Sequence, residues 1–438
     1  MKFHGNQWFA INNKANSLSV SFFILLLATI PMYNLVNTIV FILFLLTLFV
    51  YQSKNEKYSF TNTSLLLISV FSLAFISMFW SVDFNRTLNT LPRILPFLLL
   101  PISLCTNNFF SKQNQQQIIK WYSFIIVLYV IYYTIRAFVI FLVVGDETIF
   151  FHHELVSKEV NAVHVSVFVA IAFFYFFTIK NKSIWDTLYC FFLFGFIILL
   201  NSYTILITVV LLIIINYFYF SKDGSKMRLR NLVVLGLGVF SLLFAGKIEK
   251  MIEKEIETKT EKTLSHTVIE KQVVGNSVIS VEEAWTKTSF KPNDFFPGTA
   301  FRVLQFRFFI EMMQENEAWL MGFGLNASYV KIEEKAKQYN LFLGNETQEG
   351  YQKKNFHNQY IQTFADLGVF GFLLLIVILR INLKNALQNK DFVHFAFAIL
   401  MISLFLTESF LLRQRGIMFF TSMYCLFNCQ SLLVKTKS

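Results

Sequence analysis

Long apolar runs alternate with short polar breaks along most of this chain, from residue 18 to residue 433. Only a helix satisfies its own backbone groups inside one apolar run, so runs near 20 residues predict membrane-spanning helices. The pattern predicts about twelve, near 18–34, 36–52, 63–80, 91–106, 119–144, 163–179, 187–201, 203–220, 231–246, 367–381, 392–409 and 416–433. The pairs within 18–52 and 187–220 have almost no loop between them. Between the ninth and tenth runs the pattern changes to a polar segment, 247–366. Its first part, 247–262, places Ile248, Met251, Ile252 and Ile256 on one face with Glu/Lys pairs elsewhere, which predicts a solvated amphipathic helix. The stretch from Val268 to Val281 alternates loosely and reads as a β-hairpin or as disordered. Lys291 to Gly298 is a loop. Phe301 to Leu320 is apolar on one side and predicts a helix lying against the membrane or the bundle, and Ser328 to Tyr339 predicts another short helix. The chain thus divides into 1–246 with nine spans, the polar segment 247–366, and 367–438 with three spans and a tail.

Composition agrees with this pattern: 55% of the 438 residues are hydrophobic, only 15% are charged, and Phe alone occurs 54 times. Charge then sets orientation. With the N-terminus in the cytoplasm, the cytoplasmic segments carry seventeen basic residues and four acidic ones, and the short loops on the other side carry five basic residues. This asymmetry places the polar segment outside the cytoplasm. It also accounts for the net charge of +11, which reflects topology and predicts no nucleic-acid partner. Met1 to Asn16 is polar and the first apolar run leads straight into the second, so the reading is a first span and not a cleaved signal. Cys105, Cys190, Cys425 and Cys429 lie in or beside apolar runs and suggest neither a disulfide framework nor a metal site. Nothing matches Gly-x-x-x-x-Gly-Lys-Ser/Thr. His152 and His153 are adjacent and cannot share a helix face. No metal and no cofactor are expected.

The ionisable residues in or beside the outer ends of the spans are Arg86, Arg93, Arg136, His164, Glu408, Arg413 and Arg415. Each is a functional candidate by default, against the plain alternative of a snorkelling or ion-paired helix end. Glu408 pairing with Arg413 or Arg415 would be such a case. In the polar segment, Arg302 opens the amphipathic stretch, Gly322-Phe323-Gly324 follows it, and His357-Asn358-Gln359-Tyr360 precedes the tenth span. A cation and an imidazole are thereby held beside the membrane surface. Arg307 lies five residues beyond Arg302, roughly 140° around a helix, so the two cannot easily reach one phosphate.

Several of these pieces resemble the O-antigen ligase family of bacterial membrane glycosyltransferases, which also holds polysaccharide polymerases and protein O-oligosaccharyltransferases. Trp80-Ser81-Val82-Asp83 resembles the family's early Trp-Ser-x-Asp segment. Arg302 and then Gly322-Phe323-Gly324 resemble its Arg-x-x-x-Trp … Gly-x-Gly block, with Phe306 in the Trp place. His357-Asn358-Gln359-Tyr360 with Leu367-Gly368-Val369-Phe370-Gly371 resembles His-Asn-x-Tyr … Gly-x-x-Gly. Glu408 through Arg413-Gln414-Arg415-Gly416 resembles a Glu … Arg-Gln-x-Gly pattern.

The resemblance implies an all-α, GT-C-like polytopic protein of the bacterial inner membrane, its large, mostly helical loop in the periplasm between helices nine and ten. The implied reaction is metal-independent transfer of a glycan from undecaprenyl pyrophosphate to lipid A-core, to another glycan or to a protein hydroxyl. Arg302 would contact the pyrophosphate and His357 would activate the acceptor, with Asn358 orienting the ring. This is chemically coherent, because a guanidinium can bind a departing pyrophosphate bidentately and an imidazole serves as base near neutral pH. The family usually carries Ser-Arg-Gly between spans seven and eight, where this chain reads Asn201-Ser202-Tyr203-Thr204. Tyr203 brings no charge, so Arg93, Arg413 or Arg415 would complete the donor site, or the chain is a divergent member. That departure tilts the reading from a lipid A-core ligase toward a polymerase or another branch. A transporter or flippase for a lipid-linked or anionic solute is the alternative of another class, motivated by Arg136 and the outer arginines. No inverted repeat and no paired broken spans favour it.

Overall fold

A computed structural model describes residues 18–51, 61–105, 111–157, 160–220, 236, 277–346 and 349–429. Among them the chain is helical, without strands beyond two isolated bridges, Val278 with Phe295 and Gly344 with Glu349. Among the described residues five helices are long and apolar enough to cross a membrane: Asn62–Phe79, Phe84–Leu104, Lys112–Val144, Tyr203–Phe220 and Gln359–Asn389. Leu18–Ala28, Asn34–Phe49, Ala162–Thr178, Ile184–Leu199 and Phe392–Phe405 are shorter apolar helices. Gln414–Asn428 is the last helix described. The chain is therefore a multi-pass membrane protein, all-helical over the described residues. The expected ninth span (231–246), the amphipathic helix (247–262) and the loosely alternating stretch up to residue 276 lie outside the described residues, apart from Gly236.

Local chemistry explains where helices start and stop. The first apolar run breaks into a turn at Thr29–Tyr33, around Pro31. The fourth begins earlier than its apolar run, at Phe84, because the Asp83 carboxylate accepts a hydrogen bond from the Arg86 amide (2.9 Å) and caps the helix. The tenth likewise starts at Gln359, where the Asn358 side chain accepts from the Ile361 amide at 3.0 Å. Ser183 and Asp186 form a reciprocal capping box at the start of Ile184–Leu199.

Helix Ala162–Thr178 is buried along nearly its whole length. It packs against Lys112–Val144, Ile184–Leu199, Tyr203–Ile215 and Phe392–Phe405. Lipid is as apolar as Phe, so this burial gains little from the hydrophobic effect and rests on close packing. Ala162, Ser166, Ala170 and Ala172 let neighbouring backbones approach. Phe168 meets Phe419 of the last helix at a ring separation of 4.6 Å, and the Tyr122 hydroxyl donates to the Phe168 carbonyl at 2.9 Å.

The polar segment builds a second layer from Val281–Thr286, Gly298–Glu315 and Ser328–Gln338. The last two are tied by charge. Glu311 accepts from Arg307 (2.8 Å), from the buried Lys335 (2.9 Å) and from the Tyr339 hydroxyl (2.8 Å). This layer joins the bundle through the three glycine- and tryptophan-bearing motifs. Trp80 Nε1 donates to the Met321 carbonyl (3.0 Å) and the Val82 amide to the Phe323 carbonyl (3.0 Å). The Phe323 and Gly324 amides donate to the Ala365 and Asp366 carbonyls at 2.9 and 2.8 Å. Gly324 has φ +96, and a Cβ there would lie 2.5 Å from the Ser81 Cβ. Gly368 (φ 65, ψ −163) breaks the long helix, and a Cβ on it would collide with the Leu320 carbonyl.

Candidate active site

His357 sits just before the Asn358 cap, with φ +47, a left-handed conformation uncommon for any residue but glycine. Its amide donates to the Asn355 Oδ1 at 2.8 Å. The Asn355 carbonyl in turn accepts from Gln305 Nε2. Gln305 is one helical turn beyond Arg302 on Gly298–Glu315, so the helix carrying Arg302 also braces the loop carrying His357. The Phe301 ring lies 6.4 Å from the imidazole, edge to face. Holding a non-glycine residue in this conformation costs about 1–3 kcal/mol, and such strain concentrates at functional positions.

Facing the imidazole is Glu408, whose Oε1 lies 3.7 Å from His357 Nδ1. Glu408 comes from the loop between Phe392–Phe405 and the short turn Phe410–Leu412. That loop is stitched to the His357 segment. Asn358 donates through Nδ2 to the Leu406 carbonyl (3.1 Å) and through its amide to Ser409 Oγ (3.2 Å). The Leu411 amide donates to Gln359 Oε1 at 2.7 Å. Burial alone would raise the Glu408 carboxyl. The His357 imidazole facing it, with His164 and Arg302 further off, outweighs this and holds Glu408 below the usual carboxylate range. His152 and His153 also feel the Glu408 charge. Burial, with His153 beside it, pushes His152 down to about 4, so it is neutral near pH 7. His164 packs edge-on to Phe410 at 4.5 Å. Among the described residues no group of three His, Cys, Asp or Glu side chains is placed to hold a metal ion.

Arg302 is exposed on its helix, with its guanidinium reaching back over Gly298. Arg307 turns the other way: it donates to Glu311, to the Lys287 carbonyl (2.7 Å) and to the Tyr339 hydroxyl (2.8 Å). Arg93 and Arg413 share a polar cavity of about 530 Å³ with Arg86 and Lys353, and Arg93 Nη1 donates to the Leu412 carbonyl at 2.9 Å. Arg415 lies elsewhere. It lines an apolar cavity of about 630 Å³ beside Tyr129 and Tyr133, and its Nε and Nη2 donate to the Met32 carbonyl at 3.0 and 2.8 Å. Tyr203 opens the helix Tyr203–Ile215 and lines neither cavity. The amide side chain of Asn358 is engaged in capping and in the loop contact. The Glu408–His357 pairing and the grouping of Arg86 with Arg93 were not read from the sequence. Arg86 and Arg93 are seven apart, two turns of one helix face, and that spacing was the available signal.

This fold and this cluster define a class: a multi-pass helical membrane protein with an imidazole–carboxylate pair and arginines gathered where a polar layer meets the bundle. Residues 188–376 match the family model described as O-Antigen ligase. The matched stretch is less than half of the chain, includes Arg302 and His357, and is similar to the family that the motifs resemble. Its members are membrane glycosyltransferase-like enzymes. No curated protein matches the chain.

Proposed function

We propose that this protein transfers a glycan from undecaprenyl pyrophosphate to a hydroxyl acceptor, lipid A-core in the ligase reading, at the periplasmic face of the inner membrane. The observation that carries the proposal is the 3.7 Å approach of His357 Nδ1 to Glu408 beside the helix that bears Arg302. With Nδ1 turned to the carboxylate, Nε2 is left to take the acceptor's hydroxyl proton. The freed oxygen attacks the anomeric carbon, the bond from that carbon to the pyrophosphate oxygen breaks, and the lipid pyrophosphate leaves with the electron pair. Arg302 offers a planar fork of donors to the charge that develops there. Glu408 stabilises the imidazolium as it forms.

His357→Ala tests this. It is expected to abolish glycan transfer while protein level and membrane insertion stay normal, and wild-type transfer by that variant would sink the assigned base. A polysaccharide polymerase would use the same chemistry, and Tyr203 in place of the family's arginine favours that branch. Deleting the protein separates the two. Accumulation of a long lipid-linked polymer with loss of long glycan on the lipid core indicates a ligase, and single-repeat products indicate a polymerase. Purified protein that moved substrate across liposomes without forming glycosidic bonds would support a transporter instead.

A further inference from the structure

The polar cavity is walled by four cations from three parts of the chain: Arg86 and Arg93 from the helix after Trp80, Lys353 from the polar layer, and Arg413 from the loop that carries Glu408. Two carboxylates also line it, but both are already paired with lysines. Glu333 lies 2.7 Å from Lys337 and Glu349 lies 3.4 Å from Lys354. Arg86 stacks on the Tyr329 ring at 5.3 Å and is only 3.9 Å from Asp83, a long contact. The field inside the cavity is therefore positive, and its geometry is held by a cation–π contact and by the Arg93 bond to Leu412.

We infer that this cavity binds an anionic substituent, carboxylate or phosphoryl, on the sugar chain of the acceptor. The inference rests on the reading of glycosyl transfer above. Its walls suit a sugar better than a lipid. Among the described residues Leu412 is its only aliphatic side chain, while Asn326 and Gln352 offer amide groups to hydroxyls. A donor pyrophosphate must stay attached to a lipid tail, and the apolar cavity of about 630 Å³ lined by Tyr129, Tyr133 and Arg415 is separate from this one. The loop that supplies Arg413 to the cavity also carries Glu408, the carboxylate facing the proposed base. Arg413 is five residues from Glu408, so the two lie within about 17 Å even if that loop were fully extended. An acceptor anchored by its acidic group then presents a hydroxyl farther along the same sugar chain to His357. The acceptor class is thereby narrowed to acidic glycans, as opposed to neutral glycans or protein hydroxyls.

Binding is measurable without turnover. Purified full-length protein in detergent is titrated with three tetrasaccharides of equal length, one bearing a uronic acid, one bearing a sugar phosphate and one neutral, and with inorganic pyrophosphate. At least one acidic tetrasaccharide should bind at least tenfold more tightly than the neutral one. Arg86→Gln and Lys353→Gln should each lower that ratio about tenfold, the order that one charge-assisted hydrogen bond contributes. Which acidic probe binds distinguishes carboxylate from phosphate. Lys353 is exposed, so its variant keeps the test open if Arg86→Gln fails to fold. Equal affinity for acidic and neutral probes overturns the inference, as does pyrophosphate binding that these variants weaken while acidic-glycan binding is unchanged. If wild-type protein binds acidic glycans in this way yet transfers none, the transfer reading fails and the binding site stands.

Discussion

The Glu408→Gln substitution tests the imidazole–carboxylate pair most directly. It keeps the side chain's size and removes its charge. At 3.7 Å, a full imidazolium and a carboxylate attract by about 4 kcal/mol at an effective dielectric of 20. The side chains of His357 and Glu408 are 30% and 13% exposed, so solvent screens part of this, and about 2 kcal/mol is a fair net value. That energy is available only as the proton arrives on His357, so it lowers the barrier and leaves substrate binding alone. The expected loss is about 30-fold in kcat with little change in KM. The assay is transfer of a labelled glycan from a lipid-linked donor by purified protein, with thermal unfolding as the control for folding. A double-mutant cycle with His357→Gln sharpens it, because two residues acting as one unit give losses far from additive. A kcat within twofold of wild type would refute the role, and so would fully additive losses in the cycle.

Arg302→Lys keeps the charge but loses the planar fork, so donor KM should rise about tenfold or more; an unchanged donor KM would remove Arg302 from the pyrophosphate. Gly368→Ala should lower the melting temperature and yield sharply. Its φ and ψ are open almost only to glycine, costing about 1–3 kcal/mol before the collision with the Leu320 carbonyl, and normal thermal stability in this variant would contradict that docking. Stability should also fall as pH drops from about 6.5 toward 4. Burial, and His153 beside it, hold His152 near 4 in the folded protein, so the unfolded chain binds more protons in that window and the loss reaches at most about 3 kcal/mol. His153, lowered chiefly by burial, acts in the same direction. Glu408 adds a further loss only below the ordinary carboxylate range, since its depressed folded pKa keeps its stabilisation until pH falls toward that value. Thermal unfolding of His152→Gln should show a smaller gap between pH 7.5 and pH 5 than wild type; an equal gap would exclude His152 as a source.

What was legible in the sequence was whatever a local period encodes. The helices at Gly298–Glu315 and Ser328–Gln338 fall within a few residues of the one-sided apolar stretch read at Phe301–Leu320 and the short helix read at Ser328–Tyr339. Their helical faces are written in residues three and four apart. The spans were legible for the same reason, and their ends shifted where a cap at Asp83 or Asn358 started a helix inside polar sequence. The divergence of Arg302 and Arg307 around their helix was also local. Five residues separate them on one helix, and Arg307 spends its donors on Glu311, Tyr339 and the Lys287 carbonyl. What was not legible was distance between loops at the same end of the bundle. Glu408 read as a partner for Arg413 or Arg415, its neighbours in sequence. It meets His357 instead, 51 residues before it, because Asn358 and Gln359 bind the loop at Leu406, Ser409 and Leu411. Those bonds use side chains whose sequence signal is that of a helix cap, so nothing in their spacing announces a second task. Arg413 lines the polar cavity with Arg93, so one short loop supplies the carboxylate to the imidazole and a cation to the polar cavity. Shortening that loop between Glu408 and Arg413 by one residue would therefore break both arrangements at once, whereas Glu408→Gln breaks only the first.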